Sequence, residues 1–227
     1  MSFTIGLLLF PGITQLDLTG PLEVLRRIPD SRSHLLWKTL DAVRADSGLG
    51  LLPTTTYREC PALDMILVPG GPGQIPLMED DETLALLERA AASARYVTSV
   101  CMGALVLGAA GLLRGRRATT HWAYLDLLGA LGAVVTRERV VVDGPFVTAG
   151  GVTAGIDFGL AIAAEVAGAR VAQEIALELE YDPAPRFPGD PRGAEEEIRR
   201  SVERRQAPRR EERRAVVDRI LVKRGWR

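Results

Sequence analysis

Cysteine and histidine are scarce in this chain, with two of each in 227 residues. Cys60 and Cys101 are too few for the multi-bridge framework of a small secreted fold, and no group of His, Cys, Asp and Glu has metal-ligand spacing. No metal site is therefore expected. Charge of one sign is also missing: 28 Lys and Arg face 29 Asp and Glu, a formal net charge of −1, which argues against a nucleic-acid partner held by electrostatics. Long apolar runs are absent too. The stretch Thr4 to Phe10 is too short to span a bilayer, lacks a basic flank and ends in Pro11-Gly12, so it reads as a buried strand and not as a leader. These absences together predict a cytoplasmic protein with reduced thiols and neither membrane nor nucleic-acid partners. What remains is 47% hydrophobic and 25% charged, enough apolar content for one generous domain and too much for a disordered chain.

Charge divides the chain in two. Residues 190–227 hold 13 basic and 8 acidic side chains, so the preceding part is net acidic. A linker with Pro183, Pro185, Pro188 and Pro191 separates the zones and should end any helix entering it. The expectation is an α/β domain over 1–189 and a charged helical extension over 190–227, solvated on most sides and dispensable for turnover. Within 1–189, short apolar runs alternate with helix-period segments. Strands are expected at Phe3 to Phe10, Leu35 to Val43, Met65 to Val68, Tyr96 to Val100, near Val140, and at Phe146 to Ala149. Helices are expected at Leu22 to Ile28, Asp81 to Ala94, Met102 to Ala110, Trp122 to Leu131, and from Ala154 onward. Strands apolar on both faces, alternating with helices, imply a mainly parallel sheet between helical layers.

The most informative position is Cys101, in the pattern Ser99-x-Cys101-x-Gly103 between an apolar strand and a small-residue helix. A nucleophile on so sharp a turn needs small neighbours, because the flanking backbones come together. The helix N-terminus would favour thiolate, and Cys101 is expected to be the more reactive thiol; the plain alternative is an inert buried cysteine. Gly70-Gly71-Pro72-Gly73 follows another strand and belongs at the same end of the sheet, with the backbone N–H groups of Gly71 and Met102 as candidate donors to a developing negative charge. Asp17 follows the first strand, where an acid is ordinarily a cap or a dipole partner. Thr19 near Pro21 could cap that helix instead, leaving Asp17 free to share a proton with the thiol. His121 suits either a helix start or a pocket wall, with a Cys–His pair as the third reading. His34 reads as a surface residue, and Cys60, in a Glu-Cys-Pro loop, as an ordinary thiol.

These segments resemble the ThiJ/PfpI superfamily and, within it, the isonitrile hydratases. The resemblance runs from about Phe3 to Leu179. It rests on Phe10 to Pro21, the Val68 to Gly73 turn, the Cys101 turn with Leu105 to Leu113, Thr119 to Trp122, and Thr148 to Asp157. The Asp17 segment is the narrower sign, since most of the superfamily carries Glu where the hydratases carry Asp. The resemblance implies a flavodoxin-like three-layer sandwich, a homodimer, no cofactor, Cys101 as nucleophile and Asp17 as general acid. It also implies a small neutral isonitrile as substrate, in an apolar pocket lined by Gly70, Gly71, Met102, His121 and Trp122. One departure is Met102, where the hydratases have Thr: a hydroxyl is lost and a flexible apolar side chain gained. Two other classes remain open. A ligand-sensing domain like that of AraC-type regulators shares the Thr-His-Trp segment, although residues beyond 189 are too few and too Arg/Glu-repetitive for a helix-turn-helix pair. Other cysteine activities of the superfamily favour Glu at the Asp17 position.

Overall fold

Three apolar runs form the middle of the sheet because they have no polar face to give to water. In this computed structural model, which describes residues 2–187 and 189–226, β1 (Phe3–Leu8), β6 (Met65–Val68) and β7 (Tyr96–Val100) are buried along almost their whole length. Between β1 and β6 come α1 (Gln15–Leu25), β2 (Ser31–Trp37), the short hairpin β3 (Val43–Arg44) and β4 (Gly50–Leu51), and β5 (Thr55–Thr56). After β6 come α2 (Gln74–Leu77) and α3 (Asp81–Ser93), and after β7 come α4 (Gly103–Ala109) and β8 (Arg117–Ala118). A 3-10 turn, Trp122–Tyr124, then leads into α5 (Leu125–Ala130), β9 (Val134–Val135), β10 (Val140–Asp143) and β11 (Phe146–Ala149). The chain ends in α6 (Ala154–Ala167), α7 (Ala169–Glu178) and α8 (Glu196–Arg224).

The seven-stranded sheet has the order β10-β11-β7-β6-β1-β2-β5 and is parallel except for the β10–β11 hairpin. Helices α1, α6 and α7 pack together as one layer, and α2, α3, α4, α5 and α8 as another, which makes a flavodoxin-like sandwich. From β1 the chain first winds outward to β2 and then returns to pair β6 on the other side of β1. The carboxyl ends of β1 and β6 therefore flank the switch point, the crevice where open α/β sheets take their ligands.

Several elements differ from the sequence reading. Helix α1 begins at Gln15, well before Leu22, so Asp17 and Thr19 lie inside it and Thr19 caps nothing: its hydroxyl donates to the Gln15 carbonyl and side chain. Pro21 sits within the helix, on the face where α1 packs closely against small residues of α6. A Cβ on Gly155 would lie 2.9 Å from Pro21 Cδ, and one on Gly159 would lie 2.8 Å from Val24 Cβ. The strand expected at Leu35 to Val43 is instead β2, Ser31–Trp37, in register with β1 from Phe3 opposite Ser31 to Leu8 opposite Leu36. His34 is half-buried, its Nδ1 2.8 Å from Thr55 Oγ1. Glycine 168, at φ +92°, separates α6 from α7.

The C-terminal segment is the largest correction. Its helix forms, but its second half is no solvated appendage: Arg213, Val216, Val217, Ile220 and Leu221 are buried, the four aliphatics within the main core. They recur at i, i+3, i+4, i+7 and i+8, the stripe of a core-facing helix. Arg210 and Arg214 pair with Asp126 of α5, and Arg219 with Glu79 after α2, along the edges of that stripe. Of the four linker prolines, Pro188 lies outside the described residues. Among the described residues no helix is long and apolar enough to cross a membrane, and no group of three His, Cys, Asp or Glu could hold a metal ion.

Candidate active site

Cys101 directly follows β7 at φ +56°, in the left-handed region that costs a non-glycine residue about 1–2 kcal/mol. Hydrogen bonds hold it there. Its N–H donates to Gly150 O at 2.8 Å and Ala149 O at 3.1 Å, and its carbonyl accepts from Thr120 Oγ1 at 2.7 Å. The small residue two places on is required by space, since a Cβ on Gly103 would lie 1.9 Å from Val68 O. The turn thus brings the ends of β6 and β7 together and leaves the thiol 1% exposed.

Asp17, in the first turn of α1, is fully buried beside it. Its Oδ2 accepts from Gly70 N–H at 2.9 Å, while Oδ1 has no conventional partner among the described residues. Gly70 is the hinge of this arrangement. A Cβ there would lie 2.7 Å from Asp17 Oδ2, 2.7 Å from Met102 N and 3.0 Å from Cys101 Cβ, so acid, thiol and turn meet only around a bare glycine. Burial pushes the Asp17 carboxyl up to about 7, against the opposing pull of the Gly70 N–H and the thiol, with a smaller push from Asp46. The Gly71 and Met102 N–H groups donate to no backbone or side-chain oxygen among the described residues, and the Met102 N–H favours the thiolate.

The chain is similar over its whole length to a curated enzyme. An isonitrile hydratase from Pseudomonas putida is 54% identical over 224 residues, covering 98% of this chain and 98% of that one. A ThiJ/PfpI family protein of known structure from Pseudomonas syringae superposes with a TM-score of 0.93 at 39% identity, over 96% of this chain and 91% of that one. An HTH-type transcriptional regulator, CdhR of Pseudomonas aeruginosa, is 29% identical over 188 residues, covering 79% of this chain and 55% of the regulator. The model of the DJ-1/PfpI family matches residues 4–165. The chain belongs to the DJ-1/PfpI family.

In this DJ-1/PfpI chain the thiol's electrostatics run against the sequence reading. The helix N-terminus does not dominate: burial pushes Cys101 well above the usual thiol range, and the Asp17 carboxylate adds to that, while Met102 N–H and the Arg213 charge pull the other way. Cys60 is half-buried and also raised by burial, so greater thiol acidity at Cys101 is not what separates the two. The position of Asp17 separates them. His121 begins the 3-10 turn, where its Nδ1 accepts from Ala123 N–H at 3.3 Å. Burial, with a lesser effect from the Arg213 charge, pulls its imidazole down to about 4, so the ring is neutral. Its ring stacks on Trp122 at 5.7 Å between centroids. Trp122 itself lines a groove of about 810 Å³ between the 3-10 turn, α5 and the first half of α8, which neither Asp17 nor Cys101 lines. The Met102 thioether takes the place beside the nucleophile, with Sδ 3.6 Å from Cys101 Sγ.

The residue that sequence reasoning missed is Arg213. It is 1% exposed, and from α8 it reaches the carbonyl of Gly71, in the turn after β6, across 142 residues of sequence. Its signal was its place at the head of the 213-216-217-220-221 stripe, hidden in an Arg-Glu run that reads as a solvated face.

Gly70→Ala tests the geometry directly. The added methyl must displace Asp17, Met102 or Cys101, and misplacement of about 1 Å at a reacting centre can cost on the order of 100-fold. The expected result is a folded protein by circular dichroism with kcat/KM reduced by about that factor. An alanine variant with normal turnover would show that acid and thiol need not meet here.

Proposed function

We propose that this chain is an isonitrile hydratase, adding water to an organic isonitrile to give an N-substituted formamide. The observation that carries the reading is a fully buried acid, neutral up to about pH 7, held by Gly70 beside a cysteine on a strained turn. The relative from Pseudomonas putida supports the same activity. The terminal carbon of R–N≡C becomes electrophilic as it takes a proton, so one acid and one nucleophile acting on one atom suffice.

In the proposed cycle the Asp17 carboxyl gives its proton to that carbon while the Cys101 thiolate bonds to it, forming the thioimidate R–N=CH–S–Cys101. The Asp17 carboxylate then takes a proton from water as the hydroxyl adds to carbon, and hands it to nitrogen. Collapse of R–NH–CH(OH)–S–Cys101 breaks the C–S bond, returns the hydroxyl proton to Asp17 and releases R–NH–CHO with the thiolate. The Gly71 and Met102 N–H groups hold the negative charge on sulfur. The same reading includes a homodimer, no cofactor and the Met102 side chain shaping the pocket wall.

The pH dependence follows from the shared proton. Below about pH 7 the pair holds two protons and no thiolate; above it, one proton is left between carboxylate and thiol. The one-proton pair includes the carboxyl–thiolate form that reacts. We expect kcat/KM for cyclohexyl and aryl isonitriles, followed by formamide appearance, to rise through about pH 7 and then hold level until the thiol itself ionises. Absence of formamide at every pH would overturn the activity, and a profile that falls through pH 7 would overturn the acid's role.

A ligand-sensing domain is the second reading, resting on the sequence shared with the transcriptional regulator. Against it, residues 196–224 form one long helix and not a helix-turn-helix pair.

A further inference from the structure

We infer that Arg213 is a positioning residue for the site, holding the Gly70–Gly71 turn by the Gly71 carbonyl and setting a buried, carboxylate-free positive charge next to the turn that packs on Cys101. The inference rests on Cys101 being the nucleophile of the proposed hydratase, and it extends that site to a helix outside the matched 4–165 segment.

The geometry of Arg213 is unusual for its type. Its neighbours Arg210 and Arg214 both pair with Asp126, but Arg213 pairs with no carboxylate among the described residues. Its Nη1 donates to Tyr124 OH at 3.2 Å and to Arg209 O at 3.3 Å, and its Nη2 donates to Gly71 O at 3.5 Å. The guanidinium carbon lies 4.6 Å from the centre of the Tyr124 ring, and Nε has no partner. A buried cation without a counter-ion is costly. Attraction reaches it from the Tyr124 hydroxyl, the Cys101 sulfur and the Glu212 carboxylate, and of these the sulfur belongs to the reacting pair.

Gly71 is where that charge is tied to the turn. At φ +130° it is a position only glycine takes easily, and a Cβ would lie 2.4 Å from Thr14 N. Its carbonyl accepts from Arg213, and it adjoins Gly70, the glycine packed against Cys101 Cβ. The groups that act electrostatically on the sulfur are Asp17 from α1, the Met102 N–H and Arg213, and the sulfur in turn acts on Tyr124. Those facing the guanidinium are Tyr124, Cys101, Arg209, Glu212 and the neutral His121. Asp17 opposes thiolate formation and Arg213 favours it, so the two set the proton's position from opposite sides.

The test needs no isonitrile, so it stands or fails apart from the hydratase reading. In a Cys60→Ser background, the rate of Cys101 alkylation by iodoacetamide is measured against pH for Arg213→Met, Arg213→Gln and Arg213→Lys, with folding followed by circular dichroism. Removing the charge should raise the midpoint by about one pH unit, a tenfold slower alkylation at any pH on the rising limb. Lysine keeps the charge and should hold the midpoint within about half a unit, while its loss of the planar fork lowers turnover. A folded Met or Gln variant with the wild-type midpoint overturns the inference. If neither neutral variant folds, the Lys variant decides: a midpoint near wild type supports the charge as the agent, and one raised by a full unit overturns it.

Discussion

Asp17→Asn is expected to leave a folded protein that turns over no isonitrile yet ionises its cysteine more readily. Asparagine is close to aspartate in size and can still accept the Gly70 N–H bond through its side-chain oxygen, so the fold has no reason to fail. An amide cannot protonate the isonitrile carbon, and loss of a positioned acid costs about 100- to 10,000-fold. The sign at the thiol is opposite. The Asp17 carboxylate raises the Cys101 value, so its removal lowers it, and the alkylation midpoint moves to lower pH. Cys101→Ser is also dead, but for lack of a good leaving thiolate. The pair of readouts separates acid from nucleophile: near-normal formamide production by the Asn variant would sink Asp17's role as the proton donor while leaving the activity itself standing.

Truncation after residue 189 should abolish the folded state itself, reversing the expectation that the charged tail is dispensable. The deletion uncovers the core surface on which Val216, Val217, Ile220 and Leu221 pack. At about 1.5–3 kcal/mol for each buried aliphatic side chain, the loss is about 6–12 kcal/mol, as large as the whole stability of an ordinary domain. It also removes the Arg213 contacts to Gly71 and Tyr124. Circular dichroism and size-exclusion chromatography of the shortened chain should report an unfolded or aggregated species. A folded, active 1–189 fragment would show that the sheet and its other helices suffice.

The strands at the centre were legible because burial on both faces leaves an unbroken apolar run. Met65–Val68, Tyr96–Val100 and Phe146–Ala149 stand in the structure at the bounds their residues suggest. The start of α1 was not, because Pro21 reads as an entrance to a helix and nothing near it in sequence reveals the close packing on α6 in which the structure buries it. At the site, the turn at Cys101 was legible from a strand followed by small residues. The direction of the thiol's shift was not, because it depends on Asp17 and on complete burial, neither of which is near Cys101 in sequence. Arg213 was hidden for a different reason. Charged residues are almost never fully buried unless paired, and here the usual inference from an Arg-rich helix to a wet face fails at one turn.

The docking of α8 also orders events in time. Every strand of the sheet precedes α8 in the chain, so during synthesis the sheet can pair, and Asp17 and Cys101 can meet, while this helix has yet to leave the ribosome. Until it arrives, the surface that receives Val217 and Ile220 is open to water and to other nascent chains. A message cut short before α8 would therefore yield not a slow enzyme but a client for chaperones and proteases, even though both members of the reacting pair had already been made.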